Sequence, residues 1–164
     1  MIDKNQAVID FLITCPSIYN SPLYFNFINA KNDNKQFVTV ANDVYTQTPY
    51  IDGSVNKTYT FTIIDFKSIS YNPVVKQEGY TDENVDDMAM VQALIDWVNE
   101  QDDNHNYPNF GESCIIESMV ALTDNPNLDS IDTTLTPALA KYSISIRIDY
   151  LDISKKLWNK TGGN

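Results

Sequence analysis

The strongest constraint on the fold is the strict alternation of apolar and polar residues in "KYSISIRIDYL", residues 141–151. Tyr and Ile occupy the even positions from 142 to 150, whereas Lys, Ser, Arg and Asp occupy the odd positions. Successive side chains of a β-strand point to opposite faces of the sheet, so the pattern predicts a strand with one buried face. The other face is left for solvent or for a neighbour.

A second long strand is predicted within "YIDGSVNKTYTFTIIDF", residues 50–66. It follows the dipeptide Asp52-Gly53, which suits a turn with positive φ. One face of the strand carries Tyr59, Phe61 and Ile63. The apolar parity changes at Ile64, which predicts either a β-bulge or burial on both faces.

Further segments complete a predicted sheet. "LYFNFINA" (23–30) and "QFVTVAN" (36–42) flank the polar stretch "KNDNK", and this arrangement predicts a β-hairpin. "SCIIESMVAL" (113–122) is a candidate strand. "TDNPNLDSIDTTLTP" (123–137) is predicted to be a polar loop because it is rich in turn-forming residues.

Two main helices are expected. The first begins near Asp3, which with Gln6 resembles a capping box, and Pro16 is expected to end it. The second has Thr81 as its predicted N-cap and then frays into "EQDDNHNYPNFG" (100–111). Its predicted buried face carries Met88, Val91, Ile95 and Val98.

This order of elements predicts an α+β fold, an antiparallel or mixed sheet with two main helices packed on one face. We expect a single domain over residues 1–151 and a C-terminal tail over residues 152–164. Trp97 on the second helix is interpreted as a core or interface anchor. Cys15 and Cys114 are expected to be reduced, buried thiols rather than a disulfide.

Charge restricts the class of partner. The chain has 22 acidic and 11 basic residues and a formal net charge of -11, which disfavours direct binding of nucleic acid and of anionic membranes. No segment approaches the roughly 20 apolar residues of a membrane span, and the N-terminus has no secretory apolar region. The chain is therefore expected to fold in the cytoplasm.

A search for chemical motifs gives no catalytic, cofactor-binding or metal-binding residue. The single histidine, His105, lies in a polar loop without a cysteine or second histidine nearby. The same loop has the spacing of the first calcium ligands at Asp102, Asn104 and Asn106. However, Tyr107 replaces the required glycine and Ser113 the closing glutamate, so we reject a calcium loop.

Four stretches occur in a familiar order: "TCPSI", "YIDGSVNKTYTFTI", "LIDWVNEQDDNHNYPNF" and "AKYSISIRIDYL". With this order and spacing the chain resembles the tail terminator proteins of long-tailed phages of Gram-positive bacteria, often labelled minor capsid proteins. The resemblance runs from Ile2 to about Leu151. Residues 124–137 and the tail after Asp152 have no counterpart in it.

The resemblance implies a structural protein of the virion and not an enzyme. Such proteins form a hexameric ring at the head-proximal end of the tail tube, stop tube polymerisation and present a surface for the head–tail connector. The implied partners are copies of this chain, the tail tube protein and the connector, without a cofactor.

A ring requires one patch on each subunit to meet a different patch on the next. We expect the turn formed by Asp52, Gly53 and Ser54 to project towards a neighbour or the tube. Trp158, in a polar and lysine-rich terminal segment, is expected to dock either on its own domain or on a neighbour.

Two other functions are alternatives to the predicted tail terminator. An acidic protein can imitate nucleic acid by placing carboxylates where phosphates would lie, and so act as an inhibitor. Against this, the acidic residues fall at predicted helix caps and loops and not in regular rows. A small hydrolase built from scattered Asp and Tyr residues is the other alternative, but no recognised constellation supports it.

Overall fold

The computed structural model describes residues 2–27, 29–39, 48–69 and 83–157. These ranges contain three helices: α1 (Lys4–Leu12), α2 (Pro16–Tyr19) and α3 (Glu83–Asp103). They contain seven strands: β1 (Leu23–Phe25), β2 (Lys35–Thr39), β3 (Thr48–Pro49), β4 (Val55–Ser68), β5 (Cys114–Ala121), β6 (Asn127–Asp132) and β7 (Leu139–Asp152).

The centre of the sheet is the antiparallel pair of β4 and β7, each 14 residues long. Strands β2 and β3 pair with the other edge of β4, and β5 and β6 pair with the other edge of β7. Strand β1 extends the sheet beyond β2. The seven strands and the helices form an α+β fold with a mixed sheet, as the sequence predicts.

The core lies between the helices and one face of the sheet. Along β7 the even-numbered residues from Tyr142 to Tyr150 are buried, which confirms the predicted alternation. Phe61 and Ile63 of β4 lie beside them. Helices α1 and α3 close this core from the same side with Val8, Leu12, Val91, Leu94, Ile95 and Val98. Burial of each large apolar side chain contributes about 1.5–3 kcal/mol.

The two main helices contact each other as well as the sheet. The rings of Phe11 on α1 and Trp97 on α3 lie 5.1 Å apart between centroids. Trp97 is half-buried at the margin of the core, so the core-anchor interpretation is correct for part of its surface. The placement of both helices on one face is confirmed.

The parity change in β4 reflects burial on both faces. Every residue from Ile63 to Lys67 is buried. The pairing of β4 with β7 continues without a register shift from Val55 to Ser68, so the alternative of a β-bulge is wrong.

The predicted hairpin of β1 and β2 is wrong, because the two strands are parallel. Asn26 adopts a left-handed φ of 47°, which turns the chain out of β1 before it can fold straight back. The Asn26 N–H donates to the Phe37 carbonyl at 2.8 Å, and its side-chain oxygen accepts from the Thr39 N–H at 3.1 Å. These bonds hold the start of the connection against β2 and favour parallel pairing.

The predicted polar loop 123–137 contains a strand, β6, so that prediction is wrong. All six residues of β6 are exposed, and the register shifts between Leu128 and Ser130. A strand without a buried face has no alternation of burial that a sequence pattern could reveal. Its pairing with β7 is supported by Asp129, which accepts from the Ser143 hydroxyl at 2.8 Å.

The helix ends differ from the prediction in detail. The Asp3 side chain caps α1 by accepting from the Asn5 N–H at 2.9 Å, whereas Gln6 donates to Asp10 and does not close a capping box. Pro16 begins α2 at its first turn instead of ending α1, since a proline there loses no helical hydrogen bond.

Helix α3 continues to Asp103, further than predicted, and Met88 is 41% exposed rather than buried. The predicted cap Thr81 lies outside the described residues. Both cysteine thiols are free; Cys15 is buried and Cys114 is half-buried. Burial raises the pKa of the Cys15 thiol.

Candidate assembly surfaces

The turn between β3 and β4 is tied together by its own backbone. The Tyr50 N–H donates to the Ser54 carbonyl at 2.8 Å, and the Gly53 N–H donates to the Tyr50 carbonyl at 3.0 Å. Gly53 has a φ of 85°, as the Asp-Gly pair predicts. Asp52 Oδ1 accepts from the Ser54 N–H and hydroxyl, and these bonds lower the pKa of the Asp52 carboxyl.

The segment Ile153–Leu157 packs against this turn. The Leu157 N–H donates to the Asp52 carbonyl at 2.8 Å, and Lys156 Nζ lies 3.4 Å from Asp52 Oδ2. At its other end, the Ile153 N–H donates to the Ser113 carbonyl at 2.8 Å. The folded structure therefore continues past Leu151, where the sequence predicts the end of the domain.

The predicted interface residues lie in unequal environments. Ser54 is 2% exposed, so little of its surface is available to a partner in the single chain. Asp52 and Gly53 are half-buried against the chain's own 153–157 segment. Trp158 lies outside the described residues. The expectation that Asp52, Gly53, Ser54 and Trp158 contribute to an assembly interface stays a prediction.

The exposed part of the hairpin is apolar. Ile51 is 101% exposed and Tyr50 is 50% exposed. Beside them is an open groove of about 450 Å³, lined by Tyr50, Ile51, Asp52, Ser54, Glu117 and Leu151. Ile115, the neighbour of Leu151 in the β5–β7 register, is 51% exposed. Exposed apolar side chains grouped in this way are typical of contact surfaces.

At Thr58–Thr62 of β4, and at the residues of β7 beside them, the sheet face opposite the helices is polar, and its polar side chains bond to one another. Thr58 Oγ1 donates to Asp149 Oδ1 at 2.8 Å, and the Thr62 and Ser145 hydroxyls are 3.0 Å apart. Arg147 Nε donates to Asp149 Oδ2 at 3.0 Å. This face has the threonines and serines that the two alternating patterns predict, and its polar groups are engaged within the sheet.

One backbone N–H on the outer edge of β5 is bonded to a side chain. Asp102, in the last turn of α3, accepts from the Met119 N–H at 2.7 Å and from the Tyr107 hydroxyl at 2.9 Å. Burial and the Asp102 carboxylate raise the pKa of Tyr107 to about 12. An N–H bonded in this way is not available for pairing with another strand.

The bond from Asp102 to β5 is not predicted from the sequence, in which this residue stands in a rejected calcium loop. One signal could have found its role: an acidic residue in the last turn of a helix is disfavoured by the helix dipole. An acidic residue that is unfavourable in its own helix indicates that a specific tertiary contact stabilises it.

Two other edges of the sheet, those of β1 and β6, lie at opposite ends of one row of strands. The row runs through the register partners Leu23, Lys35, Asp65, Tyr142 and Leu128, from β1 to β6. On β6, Leu128 and Ile131 are 48% and 50% exposed, and no other described strand pairs with its outer edge. At the opposite end, Phe25 of β1 is 45% exposed.

A buried group of charges was not found from the sequence. Lys35 and Asp65 form an ion pair at 3.4 Å, and Lys67 pairs with the more exposed Asp33. Burial raises the pKa of Asp65, although Lys35 and Lys67 oppose this effect. Lys35 Nζ also lies 3.3 Å from the Ser21 hydroxyl, but an ion-paired ammonium has no lone pair with which to activate a serine.

Other sites for chemistry are few in the ranges that the structure describes. No group of three His, Cys, Asp or Glu residues there could hold a metal ion. His105 is exposed, with Nδ1 3.3 Å from the Tyr107 hydroxyl. Of the helices just described, none is both long enough and apolar enough to cross a bilayer. No protein-family model matches the chain, and no curated protein matches its sequence.

Proposed function

We propose that this protein is a structural subunit that closes into a ring at the head-proximal end of a phage tail tube. There it ends tube polymerisation and provides the surface for head–tail joining. The order of sequence motifs motivates the proposal. The observation that carries it is the pair of edges, β1 and β6, at opposite ends of one row of strands, with which no further strand of the described ranges pairs.

A closed ring needs two different patches whose contact repeats around an axis. The two edges are different surfaces of this kind, because one exposes Phe25 and the other exposes Leu128 and Ile131. Strand addition at a sheet edge supplies backbone hydrogen bonds, and the exposed side chains add apolar contact. The β5 edge, where Asp102 accepts from the Met119 N–H, is not needed for this contact.

The role is structural and needs no catalytic residue, metal or cofactor. The proposed partners are other copies of the chain, the tail tube protein and the connector, in the virion. The formal net charge of -11 disfavours direct contact with DNA and favours protein partners.

The alternative of a nucleic-acid mimic has less support. Within the described residues, four carboxylates accept from the backbone N–H two positions later: Asp3 from Asn5, Asp52 from Ser54, Asp132 from Thr134 and Asp152 from Ser154. These side chains stabilise local turns. A phosphate mimic would instead hold its carboxylates in a regular, outward-facing array.

The test is to combine purified protein with tube ends, made from the tail tube protein of the same phage, and to count rings by electron microscopy and native mass spectrometry. We expect rings from the unmodified chain and from Ile13→Lys, a control at a 47% exposed apolar residue that caps the end of α1 and belongs to neither edge strand. We expect no rings from the double variant Leu128→Lys/Ile131→Lys, with an unchanged far-ultraviolet spectrum.

Two results would overturn the proposal. One is an unmodified protein that stays monomeric in the presence of tube ends. The other is a double variant on β6 that forms rings as readily as Ile13→Lys does.

A further inference from the structure

The groove beside the hairpin combines apolar and acidic side chains. Its apolar surface comes from Tyr50, Ile51 and Leu151, and its acidic rim comes from Asp52 and Glu117. A volume of about 450 Å³ falls within the roughly 300–1,000 Å³ of small-molecule pockets. A ligand for it should have a flat apolar body, a hydrogen-bond donor and a nearby positive charge.

The chain itself arrives at this groove. The Leu157 N–H is bonded to the carbonyl of Asp52, which lines the groove, and Lys156 pairs with the Asp52 carboxylate. The next residue in the sequence is Trp158. The described part of the chain therefore ends at the edge of the groove, and residues 158–164 follow in the sequence.

We propose that residues 158–164 dock in this groove of their own chain, with the indole ring of Trp158 packed between Tyr50, Ile51 and Leu151. The indole N–H is a donor for which the Glu117 carboxylate is the acceptor at the rim. Lys160 adds positive charge beside Asp52 and Glu117. Lys156 already makes a contact of this kind with Asp52.

The same subunit is the expected host because the segment is tethered beside the groove. A short tether gives an effective concentration on the order of millimolar, well above the concentration of a second copy in dilute solution. Burial of an aromatic side chain removes about 150–250 Å² of surface from water, enough to hold the segment in place. Docking is expected in the monomer, so it does not depend on ring assembly.

Acrylamide quenching of Trp158 fluorescence tests the docking. In a Trp97→Phe background, Trp158 is the only tryptophan. We expect a blue-shifted emission and a quenching constant several-fold lower than after Ile51→Asp or Tyr50→Ala is added. The matched control is Tyr19→Ala, at a tyrosine 74% exposed on α2, which should leave the emission unchanged.

A second measurement removes the need for the Trp97 variant. In the unmodified chain labelled with nitrogen-15, Trp158→Phe identifies the Trp158 indole N–H signal. That signal should move after Ile51→Asp and stay in place after Tyr19→Ala, at every protein concentration.

Three outcomes would overturn the inference. The first is a Trp158 that is fully accessible to acrylamide in the folded chain. The second is protection that survives Ile51→Asp and Tyr50→Ala. The third is protection that appears only as the protein concentration rises, which would assign the groove to a second copy.

Discussion

Gly53 adopts a positive φ of 85° at the point where the β3–β4 turn meets the 153–157 segment. A Cβ at this position would lie 2.5 Å from the Lys155 carbonyl oxygen. The glycine thus serves two purposes, because it permits the turn and it allows a second stretch of backbone to approach closely.

Gly53→Ala should destabilise the protein more than Gly111→Ala does. Both variants lose roughly 1–2 kcal/mol because an L-residue is strained at positive φ. Gly111 has a φ of 92°, but a Cβ there would meet only the terminal methyl of Ile2, at 3.0 Å. Urea denaturation measures both losses. Equal losses would mean that the 153–157 segment moves aside freely.

Asp102 is the other residue with a role beyond its own element, since it joins the end of α3 to the edge of β5. Asp102→Ala should lower the free energy of unfolding by about 1–3 kcal/mol, because a buried N–H loses its acceptor. Amide hydrogen exchange at Met119 should accelerate. The control is Asp103→Ala at the exposed neighbouring residue, which should change the free energy of unfolding by less than about 0.5 kcal/mol. Unchanged exchange at Met119 would contradict this assignment.

At the scale of elements, the pairing of β4 with β7 is the longest in the sheet and carries an ion pair at one end. Lys57 Nζ lies 2.5 Å from Asp152 Oδ2. Burial of the Asp152 carboxyl raises its pKa, but hydrogen bonds from Lys57 and Ser154 outweigh burial. The pKa of Asp152 therefore lies well below its ordinary value of 3.8.

This lowered pKa predicts a pH dependence of stability. The pKa of Asp152 is lower in the folded than in the unfolded chain, so the contribution is present above pH 3.8 and is lost as the pH falls below it. Asp152→Asn should cost about 1–2 kcal/mol near pH 7, and the difference from the unmodified chain should shrink towards pH 2. Urea titrations across this range measure it. The exposed Asp86→Asn is the control, and a difference that does not vary with pH would refute the prediction.

Strand β6 illustrates how an edge can be both protected and usable. Its register shift and its Asp129 and Asp132 side chains discourage indiscriminate pairing with other strands. Its exposed Leu128 and Ile131 still offer apolar contact to a partner of the right shape. An edge of this type suits regulated assembly better than aggregation.

At the scale of the whole molecule, charge would oppose the proposed assembly. Each chain has a formal net charge of -11, so neighbouring copies in the proposed ring would repel one another. The ring fraction at fixed protein concentration should therefore rise between about 0.01 and 0.15 M salt, as the screening length falls from roughly 30 to 8 Å. Sedimentation velocity measures this fraction. Rings that dissociate as salt is added would indicate a contact based on charge pairs instead.

Elements with a regular burial pattern could be predicted from the sequence. The alternation around Ile146 identified β7, and the helical spacing of Val91 and Ile95 identified α3. Met88 was wrongly predicted to be buried, because helical spacing alone does not reveal where a helix extends beyond the sheet. The hairpin glycine, Gly53, was predicted because an Asp-Gly pair reports its backbone conformation directly.

By itself, the amino-acid sequence determined the fold class, the buried face of β7 and the Asp-Gly turn, because each depends on neighbours a few residues apart. The tertiary structure alone decided that β1 and β2 are parallel, that β6 is a strand, and that Ser54 is buried. These features depend on contacts between residues far apart in the chain, such as Asp52 with Leu157. Local periodicity contains no information about such contacts, and they also decide which parts of the surface are left for a partner.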